Sequence, residues 1–242
     1  MKKLIIFLFG ILAYLVFLVA FLYAIGFVGN IFVPKSIDTG TETNILHAVL
    51  INVVLLSIFA IQHTIMARPI FKKWWVSLVG TASERSIFVL LSSLALILMY
   101  WKWVPIKSVI WQVENETIIL IINGVFVLGW LIVLLSTFMI NHFHLFGLKQ
   151  ISDNLQNKEI SGLKFRKIYL YKFVRHPIML GFIIAFWATP LMTAGHLLFS
   201  IVTTLYIFIA VKYLEEKDLK DAIGEPYMEY QKEVPMIIPF IK

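Results

Sequence analysis

Long apolar runs separated by short basic segments set the pattern of this chain. Runs over residues 4–28, 45–66, 87–103 and 117–140 each approach the roughly 20 residues that a helix needs to cross a bilayer. A fifth run, 178–213, is too long for one crossing, and Pro190, Gly195 and His196 interrupt it. It predicts two helices joined by a tight turn near residues 193–196, giving six crossings, or five if one of the pair is short or only dips in. The expected fold is all-α: a polytopic membrane helical bundle of five to six transmembrane helices with a C-terminal helical hairpin. The chain reads as one domain over 1–242, with a four-helix membrane part at 1–140 and a loop, hairpin and tail at 141–242. The polar stretch 150–168 predicts a short helix or a loop. The tail from Gly224, with Tyr227, Tyr230, Pro235 and Pro239, predicts a segment folded back over the membrane face.

Composition sharpens this picture. Only 14% of residues are charged and 60% are hydrophobic, against about 25% charged in a soluble domain. The formal charge of +7 does not argue for a nucleic-acid partner, because the basic residues flank apolar spans, where they encode orientation. They gather in 67–86 (Arg68, Lys72, Lys73, Arg85), in 141–176 (including Lys149, Lys158, Lys164, Lys172 and Arg175) and in the tail (Lys217, Lys220, Lys232, Lys242). With six crossings all three regions fall on the side of Lys2 and Lys3, which predicts a bacterial inner-membrane protein with both termini cytoplasmic. The N-terminal run is longer than the roughly 7–15 residues of a signal-peptide core and reads as a retained span. Cysteine is absent, which excludes disulfides, thiolate metal sites and cysteine nucleophiles.

Two polar islands carry the candidate chemistry. The first opens at Tyr171 and runs through Arg175-His176-Pro177 to Gly181; the second is Glu215-Glu216. The hairpin between them brings cations, an imidazole and carboxylates to one membrane face. Pro177 suits the first turn of a helix, whose free N–H groups favour an anion, and Gly181, one turn on, would let a planar ligand approach the backbone. A carboxylate at Glu215 or Glu216 can accept both hydroxyls of a ribose or pair with an ammonium. Closing the fourth span, Asn141-His142-Phe143-His144 leads to Gly147, Lys149 and Gln150. Lys149 and Gln150 can reach a ligand's carboxylate or base edge, and the two histidines have too few companions to predict a metal site. Gln62-His63 ends the second span and Glu84-Arg85-Ser86 opens the third. An ionisable His63 at an apolar helix end is a functional candidate by default; a satisfied structural histidine fits equally well. Glu84 and Arg85 also read as an interfacial ion pair, worth about 0–1 kcal/mol at a surface.

Arg175-His176-Pro177 with Gly181, then Glu215-Glu216, Gly224, Tyr227, Tyr230 and Val234-Pro235 resembles the isoprenylcysteine carboxyl methyltransferase superfamily of membrane enzymes. That superfamily's motif carries Tyr two residues after the Pro, where this chain has Met179. Gln62-His63 with Met66-Ala67-Arg68-Pro69, Glu84-Arg85-Ser86 and the Asn141–Leu148 run are similar to the nurim-like branch, and within it to bacterial methanethiol S-methyltransferases; His144 stands where that pattern has Asp. The resemblance covers nearly the whole chain. It implies S-adenosyl-L-methionine as cofactor and a small thiol as acceptor, giving dimethyl sulfide. It further implies cofactor contacts from Lys149, Gln150, Tyr171, Arg175, His176, Pro177, Gly181, Glu215 and Glu216. An alkanethiol is mostly protonated at neutral pH, so a base is needed: His63 first, then His142 or Glu84, with Arg85 beside it. A lipid or isoprenylcysteine methyltransferase and a non-enzymatic nurim-like membrane protein stay open as alternatives.

Overall fold

The computed structural model describes residues 1–160, 162 and 165–241. Two basic residues of the orientation argument, Lys164 and Lys242, lie outside them. The described elements are helices α1 (Lys2–Gly29), α2 (Ile45–Ala67), α3 (Pro69–Val79), α4 (Thr81–Lys102), α5 (Glu116–Ile140), α6 (His142–Leu145), α7 (Leu148–Leu155), α8 (Pro177–Trp187), α9 (Ala194–Ala210), α10 (Glu216–Ile223) and α11 (Glu225–Glu233), with strands β1 (Val109–Gln112) and β2 (Leu191–Thr193). A π turn, Val211–Glu215, joins α9 to α10. Five helices are long and apolar enough to cross a membrane: α1, α2, α4, α5 and the continuous Ala194–Ile223 helix. The chain is a multi-pass membrane protein. Its contacts gather into two compact units, Met1–Ser36 with Leu50–Trp103 and Ile140–Lys164, and Ile37–Val49 with Val104–Met139 and Phe165–Lys242.

In the first unit α1 packs on α4 and α7. The opposite face of α1 exposes Leu4, Leu8, Leu12, Leu15 and Leu22, a stripe at helical spacing that suits lipid. α4 is the most enclosed of the long helices, because Ser83, Ser86, Ser92, Ser93 and Ala95 are small and let neighbours close on it. α3 falls where the sequence predicted a basic loop. Pro69 sits in its first turn, and Ile70, Trp74 and Leu78 expose an apolar stripe beside Lys72 and Lys73. This is the pattern of a helix lying in the membrane interface.

The second unit holds α5, α8, α9 and the tail. α5 and α8 cross on glycine: a Cβ on Gly181 would lie 2.7 Å from the Gly129 carbonyl oxygen, and one on Gly129 2.7 Å from the Ala185 nitrogen. Such small-residue crossings let membrane helices touch backbone to backbone. α8 has only 11 residues, about 16 Å at 1.5 Å per residue, so alone it cannot cross an apolar core of about 30 Å. The tight turn expected near residues 193–196 is instead an extended segment. β2 there pairs antiparallel with β1, Val109 opposite Thr193 and Gln112 opposite Leu191. A strand pair was not predicted, since three or four residues carry too little alternation to show in sequence.

Backbone leaving a helix among apolar neighbours must find partners inside the protein, and several groups here do. The Phe186 carbonyl accepts from His196 Nε2 at 2.9 Å and Ser200 Oγ at 2.8 Å. The Pro190 carbonyl accepts from the Val113 amide at 2.9 Å, and the Thr189 carbonyl accepts from Trp111 Nε1 at 3.2 Å. Thr193 Oγ1 caps α9 by accepting from the His196 amide at 3.1 Å and donates to Asp38 at 2.5 Å.

Candidate functional site

The two polar islands meet in the second unit, as the hairpin predicted. Pro177 stands at the first position of α8 and His176 just before it. The tail returns alongside: the Arg175 amide donates to the Pro235 carbonyl at 2.9 Å and the His176 amide to that of Met236 at 3.0 Å. Those bonds satisfy two amides at the mouth of the helix and fix the tail in register with the motif.

At the centre lies Glu216, 4% exposed. Its carboxylate accepts from Arg175 Nε at 2.9 Å and Nη2 at 3.1 Å, from His176 Nε2 at 2.6 Å, and from the Tyr227 hydroxyl at 3.0 Å. Gln231 Nε2 donates to it as well. Arg175 Nη1 donates to the carbonyls of Val234 at 2.5 Å and Gln231 at 3.2 Å. Every arm of the guanidinium is thus engaged, and the network ties α8, α10 and α11 together. Sequence alone could not choose between the paired glutamates; the π turn, with its wider hydrogen-bonded ring, resets the helical phase just before them. Glu216 faces inward, while Glu215, more exposed, places Oε1 3.5 Å from His176 Nδ1. Burial opposes a charge on the His176 ring, but Glu215 and hydrogen bonds to both glutamates outweigh it and raise the pKa to about 9. His176 is therefore an imidazolium at neutral pH. Tyr227 and Tyr230, which sequence reading placed in the tail without a partner, are pushed up by burial. The Tyr230 hydroxyl donates to the Tyr171 carbonyl, and the Tyr171 hydroxyl reaches the Ser136 carbonyl at 3.4 Å.

Beside this network lies a cavity of about 420 Å³ lined by Arg175, Glu216, Lys212, Lys220 and the apolar Phe208 and Ile237. Small-molecule sites run from about 300 to 1,000 Å³, mostly apolar with a few convergent polar groups. The lining suits an adenosyl amino acid: an apolar wall for a base, and Lys212 and Lys220 as cations for a carboxylate. Gly181, expected to face a ligand, is occupied by the α5–α8 crossing.

The other sequence candidates belong to the first unit. Arg85 Nε donates to the Leu145 carbonyl at 2.6 Å. Gly147, at φ 89°, lies so close to Ser86 that a Cβ would sit 2.9 Å from its Oγ, so only glycine suits both the left-handed backbone and the contact. These contacts fasten the Asn141–Gln150 run onto the Glu84-Arg85-Ser86 turn. The turn borders a cavity of about 270 Å³ lined by Lys72, Thr81, Glu84, Arg85, His144 and Gln150. Gln150 Nε2 donates to the His144 carbonyl at 3.0 Å, and its Oε1 has no partner among the described residues. Lys149 pairs with Asp153 at 2.5 Å. His142 meets the Tyr14 hydroxyl at 2.8 Å, and burial lowers its pKa, which keeps it neutral. His63 lies 3.3 Å from Ser92 Oγ and within 5.2 Å, centroid to centroid, of the Phe59 and Phe88 rings. Among the described residues no three His, Asp or Glu side chains are grouped to hold a metal ion.

Known proteins resemble this chain along nearly its whole length. The pattern described as NnrU protein matches residues 50–232. Methanethiol S-methyltransferase 1 of Bradyrhizobium diazoefficiens is 53% identical over 98% of this chain and 83% of its own length. Methanethiol S-methyltransferase of Mycobacterium tuberculosis is 50% identical over 99% of this chain and 98% of its own. Nurim of Mus musculus is 27% identical over 74% of this chain and 71% of its own. No solved structure matches the chain. The chain belongs to the NnrU protein family and, within it, groups with the methanethiol S-methyltransferases.

Proposed function

We propose that this protein is a membrane-embedded methyltransferase that methylates methanethiol to dimethyl sulfide with S-adenosyl-L-methionine as donor. The observation that carries this reading is identity of about half to named methanethiol S-methyltransferases over essentially the full chain. When bound, the donor supplies an electrophilic sulfonium methyl. Lys212 and Lys220 on the cavity offer cations to its carboxylate, Glu215 offers an acceptor to its hydroxyls, and Arg175 and Glu216, whose hydrogen bonds are spent on each other and on the tail, shape the wall. Lys149 and Gln150, also expected as donor contacts, belong to the first unit, where Lys149 pairs with Asp153. His176 and Tyr171 act behind that wall: the imidazolium holds Glu216 ionised, and Tyr171 receives Tyr230 and so seats the tail. Thiolate and sulfonium cancel their charges as they react, so a water-poor site near the bilayer suits the step. Positioning of the two reactants can supply about 7–11 kcal/mol in well-oriented cases.

We also propose six crossings in a bacterial inner membrane with both termini cytoplasmic. The support comes from α8: its 11 residues and the extended stretch after it, at about 3.3 Å per residue, together reach roughly the 30 Å of an apolar core. The functional reading is tested by headspace gas chromatography of cells expressing the chain and fed methanethiol. Dimethyl sulfide above the level of an empty-vector strain is expected; no increase, with the protein present in the membrane, overturns the reading.

A further inference from the structure

The cavity of about 270 Å³ in the first unit carries groups that the methyl-transfer reading does not use. Glu84 and Arg85 both line it, opposite in charge and adjacent in sequence, yet no ion pair joins them. Glu84 is 9% exposed, and its carboxylate has no hydrogen-bond partner among the described residues. Arg85 Nε donates to the Leu145 carbonyl at 2.6 Å, and its Cζ stands 4.9 Å from the centre of the Phe88 ring. Those two contacts aim the guanidinium, whose two terminal nitrogens have no hydrogen-bond partner among the described residues. Gln150, 6% exposed, lines the same cavity with an Oε1 equally unpartnered there. Lys72 and His144 line it too, but each has contacts of its own, so the open groups are Glu84, Arg85 and Gln150. Leu145 and Ile160 supply an apolar wall.

Buried polar groups without partners are costly, and a ligand that completes these three must carry both charges. An α-amino acid does. Its carboxylate can take two guanidinium N–H groups bidentately, and its ammonium has three donors for acceptors such as Glu84 and Gln150 Oε1. A zwitterion so placed bridges the two charges that do not pair directly. At about 270 Å³ the cavity falls just below the range of about 300–1,000 Å³ that encloses drug-sized ligands, which suits a molecule this small. We propose that this cavity binds a free α-amino acid with an apolar side chain, its carboxylate on Arg85 and its ammonium on Glu84 and Gln150. The ligand ties the start of α4 to α7. Every group named lies within the first unit, and the assignment stands apart from the methyl-transfer reading.

The probe is methionine, titrated calorimetrically into full-length protein in detergent with S-adenosylhomocysteine saturating, so that a donor site is already filled. Saturable binding is expected, with a melting temperature raised by about 5–10 °C at a hundredfold excess over Kd. Two analogues each lack one charge: 4-(methylthio)butanoate has no ammonium and 3-(methylthio)propylamine no carboxylate. Each should bind wild-type protein at least about tenfold more weakly than methionine. Glu84→Gln should weaken methionine by a similar factor while leaving 4-(methylthio)butanoate unchanged, and Arg85→Gln should do the same with respect to 3-(methylthio)propylamine. A merely structural role would not produce that matched pattern. Should either variant fail to fold, the analogue series on wild-type protein decides alone. Absence of methionine binding, its abolition by S-adenosylhomocysteine, analogues that bind as tightly, or variants that keep full methionine affinity would each overturn the assignment. None of these readouts involves methyl transfer, so a failure of that reading is separately visible.

Discussion

Replacing Glu216 by Gln tests the network at the heart of the second unit. The carboxylate is 4% exposed and receives two bonds from Arg175 and one each from His176, Tyr227 and Gln231. The amide keeps the volume but removes the charge, and its NH₂ end turns a donor toward donors. The Arg175 guanidinium is then left buried without its carboxylate, and His176 keeps only the more exposed Glu215; removing one partner of a buried pair costs about 3–5 kcal/mol. At roughly 2–4 °C per kcal/mol for a chain of this size, the melting temperature in detergent should fall on the order of 10 °C. Tyr227→Phe removes one neutral donor to the same oxygen and should cost only about 1 kcal/mol. Intrinsic-fluorescence melting of purified protein reads both. Equal shifts for the two variants, or a Glu216→Gln shift within error of zero, would refute the reasoning.

Three other outcomes follow from the same geometry. His176 carries a pKa raised to about 9 against about 6.5 unfolded, so its stabilising charge is fully present below about pH 6.5 and is lost as pH rises through about 9. Wild-type melting temperature should drop across that window, with up to about 3 kcal/mol at stake, and His176→Gln should flatten the drop. Gly181→Ala places a methyl 2.7 Å from the Gly129 carbonyl and 2.8 Å from the Val133 amide, backbone atoms that cannot yield. It should cost about 1–3 kcal/mol, read as lowered melting temperature with S-adenosylhomocysteine affinity unchanged in protein that still folds. Because the chain has no cysteine, single cysteines at Lys107 and Lys220 can be labelled cleanly in intact cells. An impermeant maleimide should modify the first and not the second; the reverse pattern would invert the proposed orientation.

The apolar runs made the long helices legible, and the spacing of Arg175-His176 and Glu215-Glu216 made their meeting legible, because a hairpin of membrane helices has few ways to fold. What sequence concealed was finer. Gly181 was read as room for a ligand, yet its open face takes Gly129 of α5; a glycine in an apolar helix signals close approach without saying of what. The inward choice of Glu216 over Glu215 follows a π turn that no periodicity announces. The short α8 and its paired strands were hidden because an 11-residue helix and an extended segment can be as apolar as one long helix. Glu84 and Arg85 looked like a surface ion pair until the Asn141–Gln150 run, distant in sequence, was found folded against them.

The account stands or falls on methyl transfer between two named molecules. Purified protein supplied with methanethiol and S-adenosyl-L-methionine bearing a trideuterated methyl group should release dimethyl sulfide three mass units heavy, with S-adenosylhomocysteine formed in equal amount. Donor consumption without labelled dimethyl sulfide, or no turnover by folded protein that binds the donor, would contradict it.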